Sequence, residues 1–139
     1  ADELDPPTAL TGALLRHFGV FSPRALIPVL YGDPEPDVAS FAVEVARCAE
    51  EGDAAACGIL WDAADRLAEI AAHLAHWSGS PTVGIWGSVL TENRQVRARF
   101  EASLRARIRD VTVVLPPVSA EEAAADYAES ITNASVAKE

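Results

Sequence analysis

The stretch SPTVGIWGSVLT, residues 80–91, decides the fold that the sequence predicts. Its first half is rich in β-branched and aromatic residues, which favour a buried strand, and Gly87 ends that run. The sequence beyond it predicts a helix from about Glu92. A strand that stops at glycine and leads into a helix is the arrangement with which α/β proteins bind phosphates and nucleotides at the carboxyl edge of a sheet. Because glycine after a strand is more often a simple turn, the pattern alone assigns no site.

The composition is that of one folded, water-soluble domain. The chain has 139 residues, of which 50% are apolar and 23% charged, enough for a hydrophobic core. The net charge of −10 disfavours nucleic-acid binding. No apolar run approaches the ~20 residues of a membrane helix, and no signal peptide opens the chain. With only Cys48 and Cys57, neither a metal cluster nor a disulfide framework is expected, so we predict a cytoplasmic location.

Hydrophobic periodicity predicts six helices and two strands. The helices run approximately over Pro7–Phe18, Pro23–Leu30, Asp37–Gly52, Ala54–Trp77, Glu92–Arg109 and Ser119–Glu129, and the second strand over Val111–Leu115. A helical part, about residues 7–78, therefore precedes a βαβα part, about residues 81–129. Residues 130–139 form a polar tail that is expected to fray.

The longest helix is expected to bury one apolar stripe. Its members recur at heptad-like spacing: Ile59, Ala63, Leu67, Ile70, Leu74 and Trp77. Gly52-Asp53 forms the corner before this helix, and Asp53 is interpreted as its N-cap rather than as a catalytic acid. The βαβ unit implies parallel strands. Because two parallel strands cannot cover both faces of a sheet, further strands are expected outside this chain, and the lack of methionine favours the same interpretation.

Two groups of polar residues are candidates for a binding site. Six arginines lie between Arg94 and Arg109, but they surround most of the helix and are interpreted as a solvated face. Glu69, His73 and His76 share one helical face, where zinc would accept such ligands. A surface pairing of Glu69 with His73 explains them equally well. The residues themselves indicate a helix-rich α/β domain with no catalytic residue and no metal site.

The order of several motifs resembles the C-terminal lobe of the N-acetylglucosamine kinase and BadF-type ATPase family. The resemblance spans roughly Pro7–Pro117 and rests on spacing more than on any single motif. The segments that carry it are PTALT at residues 7–11, LY at 30–31, AEEGDAAA at 49–56, IL at 59–60 and VGIWGSV at 83–89.

This resemblance implies a partial lobe of the ribonuclease-H-like, actin-like ATPase fold. It implies that ATP and Mg²⁺ bind between two lobes, with Gly87, Ser88 and Val89 next to the adenosine end of the nucleotide. The N-terminal lobe of the same protein would hold the sugar and supply the chemistry. Two departures stand out: Ser88 replaces the second glycine of the family, and no glycine occurs near Ala120–Ala124.

The expected function is that of the C-terminal, nucleotide-side segment of an ATP-dependent sugar kinase that phosphorylates an amino-sugar hydroxyl. The isolated chain is not expected to catalyse this reaction. The alternatives are a non-catalytic interaction or regulatory module built on the same lobe, which would hide its strand edges by forming a homodimer, and a BadF-type ATPase activator component.

Overall fold

The computed structural model describes residues 8–32 and 36–136, with side chains described as far as Glu129. Its helices are α1 (Ala9–His17), α2 (Leu26–Leu30), α3 (Ala42–Glu50), α4 (Ala54–Ser78), α5 (Ser88–Thr91), α6 (Arg94–Arg107) and α7 (Ala120–Val136). The two strands are β1 (Thr82–Gly84) and β2 (Thr112–Val114), and 3-10 turns at Pro23–Ala25 and Val38–Phe41 precede α2 and α3.

Local capping sets most helix starts. The Asp53 carboxylate accepts the N–H of Ala56 at the start of α4. It also accepts the Ala9 N–H and the Thr8 hydroxyl, so the corner before α4 is joined to the start of α1. Ser119 and Glu122 form a capping box at the start of α7, each side chain accepting the backbone N–H of the other.

The sheet contains two parallel strands, with Val83 opposite Val113. These two valines point inward, whereas the residues on either side of them are exposed. The inner face packs against α4 and α6, where Val96, Phe100 and Leu104 of α6 are almost wholly buried. The predicted helix-rich α/β class and the βαβ unit are therefore confirmed.

A second core lies under the N-terminal helices. Ala13 of α1, Val45, Cys48 and Ala49 of α3 and Ala56 of α4 form it. Since Ala64 and Ala68 of α4 belong to the first core, the long helix joins the two. No helix in the described part of the chain combines the length and apolarity needed to cross a membrane.

The predicted core face of α4 is wrong. Its buried residues are Ala56, Ala64, Ala68 and Ala75. All large residues of the predicted stripe are partly or mostly exposed: Ile59 51%, Leu67 37%, Ile70 59%, Leu74 59% and Trp77 86%. Alanine faces allow helix axes to approach closely, so Ala64 and Ala68 pack in the core with α6, Ala56 packs with α1 and α3, and the large residues face outward.

Two further expectations are corrected by local geometry. An additional short helix, α5, follows Gly87, and α6 begins at Arg94 because Asn93, not Glu92, caps it through the N–H groups of Gln95 and Val96. At the other end of the chain, α7 continues to Val136, so most of the predicted polar tail is helical. The remaining tail, residues 137–139, lies outside the described residues.

Candidate functional site

The turn after β1 is held at both ends by buried side chains. Ile85 is 2% exposed and its N–H donates to the Val114 carbonyl at 3.0 Å, which extends the strand pairing by one residue. Leu90 is 9% exposed and belongs to the same core. Between these two anchors all four residues, 86–89, are exposed. The turn is therefore fixed in place while its surface stays open.

Gly87 has a backbone conformation that favours glycine. Its φ of 92° and ψ of 150° lie in a region that other residues rarely adopt. Its carbonyl accepts the Leu90 N–H, the Thr91 N–H and the Thr91 hydroxyl, which orients the peptide. A Cβ at this position would meet no atom within 4 Å. The glycine is thus needed for the backbone angle, and the space before it is free for a neighbouring group.

The three predicted nucleotide-side residues are consecutive in this turn and exposed together. The Ser88 hydroxyl makes no hydrogen bond within the described residues, and its carbonyl accepts the Glu92 N–H that ends α5. Val89 is 55% exposed. The Ser88 hydroxyl can donate to or accept from a polar group of a ligand, and Val89 offers apolar surface beside it.

An apolar groove of about 440 Å³ begins beside the turn at Trp86. Leu67, Ile70, Leu74 and Trp77 of α4 form one wall, and β1 forms the other. β1 pairs with β2 on one side only, and its other edge meets no strand among the described residues. The sequence contains the signal for this groove. The residues of α4 that form the wall belong to the large apolar stripe, for which the periodicity predicts a place in the core.

The family pattern after the second strand has no counterpart here. Ala120–Ala124, where the resemblance would place a glycine, form the first turn and a half of α7 and are exposed. This segment contains no glycine, so its backbone cannot approach a ligand closely. Where the resemblance implies a turn beside the nucleotide, the structure has an exposed helix.

Most arginines of α6 bond to neighbouring side chains or carbonyls within the described residues. Arg97 and Arg105 donate to Glu101 and hold the pKa of that carboxyl below its usual value, Arg97 contributing most. Arg99 donates to both oxygens of Asp65 on α4, which likewise lowers the pKa of Asp65. The Arg99 guanidinium carbon also lies 6.0 Å from the centroid of the Trp61 ring, within reach of a cation–π contact.

A second cleft, of about 630 Å³, opens at the end of the sheet where the strands begin. The ends of α4 and α6 contribute Glu69, His73, His76 and Arg107, and Arg109 follows α6. Within the described residues no group of three or more His, Cys, Asp or Glu side chains could hold a metal ion. Glu69 and His73 are not hydrogen-bonded to each other. Sequence reasoning missed the two arginines because only the packing of α6 beside α4 brings them here.

Comparisons with known proteins add no relative. No family model matches the chain, and no curated protein matches it significantly. The likeness to the kinase and ATPase family therefore stays a prediction from the sequence.

Proposed function

We propose that this chain is the C-terminal, nucleotide-side segment of a cytoplasmic ATP-dependent sugar kinase with an actin-like fold. In that protein the γ-phosphate of ATP would pass to an amino-sugar hydroxyl with Mg²⁺ as the charge-neutralising ion. The observation that carries the proposal is the Gly87 turn, which combines a glycine of positive φ, open space and an adjacent apolar groove.

The residues of the turn fit the adenosine end of a nucleotide. Gly87 lets the backbone come close to the ligand, and the Ser88 hydroxyl can donate to or accept from a ribose or phosphate oxygen. Trp86, 54% exposed, and Val89 offer apolar surface. Because the described residues hold no metal-binding cluster, Mg²⁺ in this proposal is held by the phosphates and by the N-terminal lobe. That lobe also binds the sugar and supplies the catalytic groups.

The two apolar faces of α4 support the proposal that a second lobe or further strands complete this one. The alanine face is buried against α6 and β1, while the opposite large residues remain exposed. A helix that is apolar on both sides belongs inside a protein. The unpaired edge of β1 lies along the same exposed surface, so one added segment would cover both.

The test is calorimetric titration of Mg²⁺–ATP into this chain, alone and mixed with the polypeptide that carries the proposed N-terminal lobe. Binding is expected only in the mixture, and Gly87→Trp is expected to abolish it. Gly19→Trp is the matched control, because Gly19 also has positive φ and open space before it but lies between α1 and α2. Unchanged affinity in Gly87→Trp would remove the turn from the site.

A non-catalytic interaction module is the second candidate, and the exposed stripe of α4 favours it. Contiguous apolar surface of this kind marks a protein contact whether or not a nucleotide binds nearby. This candidate predicts no heat from Mg²⁺–ATP in either titration. It also predicts self-association or partner binding that Leu74→Asp weakens and that Gly87→Trp leaves unchanged.

A further inference from the structure

The cleft at the ends of α4 and α6 collects basic side chains in an acidic protein. The chain carries 21 acidic and 11 basic residues, yet this cleft is lined by two arginines, two histidines and one glutamate. Chance surface placement in such a chain would favour acidic neighbours. The charge of the residues that line the cleft is therefore opposite in sign to the net charge of the protein.

The pairing of the arginines makes this contrast sharper. Five arginines form ion pairs in the described part of the chain: Arg47, Arg66, Arg97, Arg99 and Arg105. Arg107 donates one nitrogen to the Ser103 carbonyl and hydroxyl, a contact typical of a basic residue at a helix C-terminus. Together with Arg99 it also lowers the pKa of Asp65, whereas Arg109 makes no hydrogen bond or ion pair with a described residue. The imidazoles of His73 and His76 are equally without a described partner.

The acidic group stands toward one end of the cleft. Glu69 precedes His76 by seven residues on α4, about 10 Å along the helix. The arginines come from the end of α6 and the residues after it, and Ser80 lines the same cleft. A ligand here would meet the hydrogen-bond donors of the two arginines and the carboxylate acceptor of Glu69. The volume of about 630 Å³ exceeds that of a single tetrahedral ion.

We propose that this cleft binds a small phosphate monoester with a hydroxylated body. Arg107, Arg109 and the histidines hold the phosphate, for which arginine provides the best-matched donors. Glu69 accepts a hydroxyl of the body. The site is separate from the Gly87 turn, because Pro81 and Gly87 lie at opposite ends of β1, up to about 20 Å apart along the extended chain. It does not depend on the proposed kinase function.

The test is a titration of the protein with glycerol 3-phosphate, followed by backbone amide NMR. Gly79, Ser80 and residues 107–109 are expected to shift and saturate, while Gly87 does not move. Arg109→Gln is expected to weaken binding about tenfold, the loss of one charged hydrogen bond. Arg94→Gln is the matched control, since Arg94 is an exposed arginine at the start of α6, makes no ion pair with a described residue and lies outside the cleft. It should leave the affinity unchanged.

Two further arms identify the ligand class. Glycerol is expected to cause no shifts, and inorganic phosphate to bind more weakly than the ester. Glu69→Gln should lower the preference for the ester over inorganic phosphate. Equal weakening by Arg94→Gln and Arg109→Gln, or shifts spread over all exposed arginines, would overturn the site. Equal affinity for inorganic phosphate would overturn its assignment to an ester.

Discussion

The orientation of α4 gives the sharpest prediction, because sequence pattern and structure disagree about which face is inside. Ala64 and Ala68 have no exposed surface, whereas Leu74 is 59% exposed. At 100° per residue the alanine face and the large apolar stripe lie about 120° apart around the helix axis. The apolar periodicity predicts that substitutions in the large apolar stripe lower the free energy of unfolding most. The structure predicts that substitutions on the alanine face do so.

Ala68→Leu places three additional carbon atoms in a closed contact with α6. Overpacking of this kind typically costs about 1–3 kcal/mol of the free energy of unfolding. For a chain of this length one kcal/mol corresponds to about 4 °C in Tm, so a fall of about 4–12 °C is expected. Leu74→Ala removes a side chain that is less than half buried, and we expect a cost below about 1 kcal/mol.

Thermal and urea unfolding, followed by far-UV circular dichroism, measure both effects. Ala63→Leu is the matched control: it adds the same atoms to an exposed position on α4 and should stay within about 0.5 kcal/mol of the unmodified protein. A larger loss from Leu74→Ala than from Ala68→Leu would refute the reasoning. It would mean that α4 is rotated and that the large apolar stripe is the true core.

Two capping residues give further predictions. Hydrogen bonds from the backbone N–H groups of Ala56 and Ala9 lower the pKa of Asp53, so its contribution to stability is complete above the unfolded pKa, near 4, and disappears as pH falls through the lower folded value. Between about pH 5 and pH 2, Asp53→Asn should therefore lose less unfolding free energy than the unmodified protein, so that the two proteins become equally stable in acid. Urea unfolding at several pH values measures this, and parallel curves of stability against pH would contradict it. Asn93→Ala should cost about 1 kcal/mol, because the N–H groups of Gln95 and Val96 lose their acceptor, whereas Asn93→Asp should cost little. Equal Tm values for the two Asn93 variants would exclude the cap as the cause.

The exposed stripe and the Gly87 turn have related structural origins. Trp86 belongs both to the turn and to the groove that runs along α4 and β1, so whatever covers the groove also borders the turn. A partner seated on Leu74 and Trp77 would close the apolar side of the proposed nucleotide site. Nucleotide binding and partner binding are therefore expected to be coupled in the assembled protein.

The sequence by itself determined the features that depend on neighbouring residues. Asp53, Ser119 and Glu122 cap the helices where their side chains indicate, and β-branched residues between helices gave a parallel pair of strands. The apolar stripe of α6, with Val96, Phe100 and Leu104, is equally local, because the other side of that helix is polar. The Gly87 turn was also visible, since glycine between a strand and a helix is a local signal.

Only the tertiary structure decided which face of α4 is buried and which polar groups meet. Large and small apolar residues occupy different sides of α4, and periodicity ranks the large ones first, although close packing against α6 selects Ala64 and Ala68. The cleft that joins His73 to Arg109 connects positions 36 residues apart in the chain. Its composition follows from how two helices lie side by side, a long-range relation that local spacing does not contain.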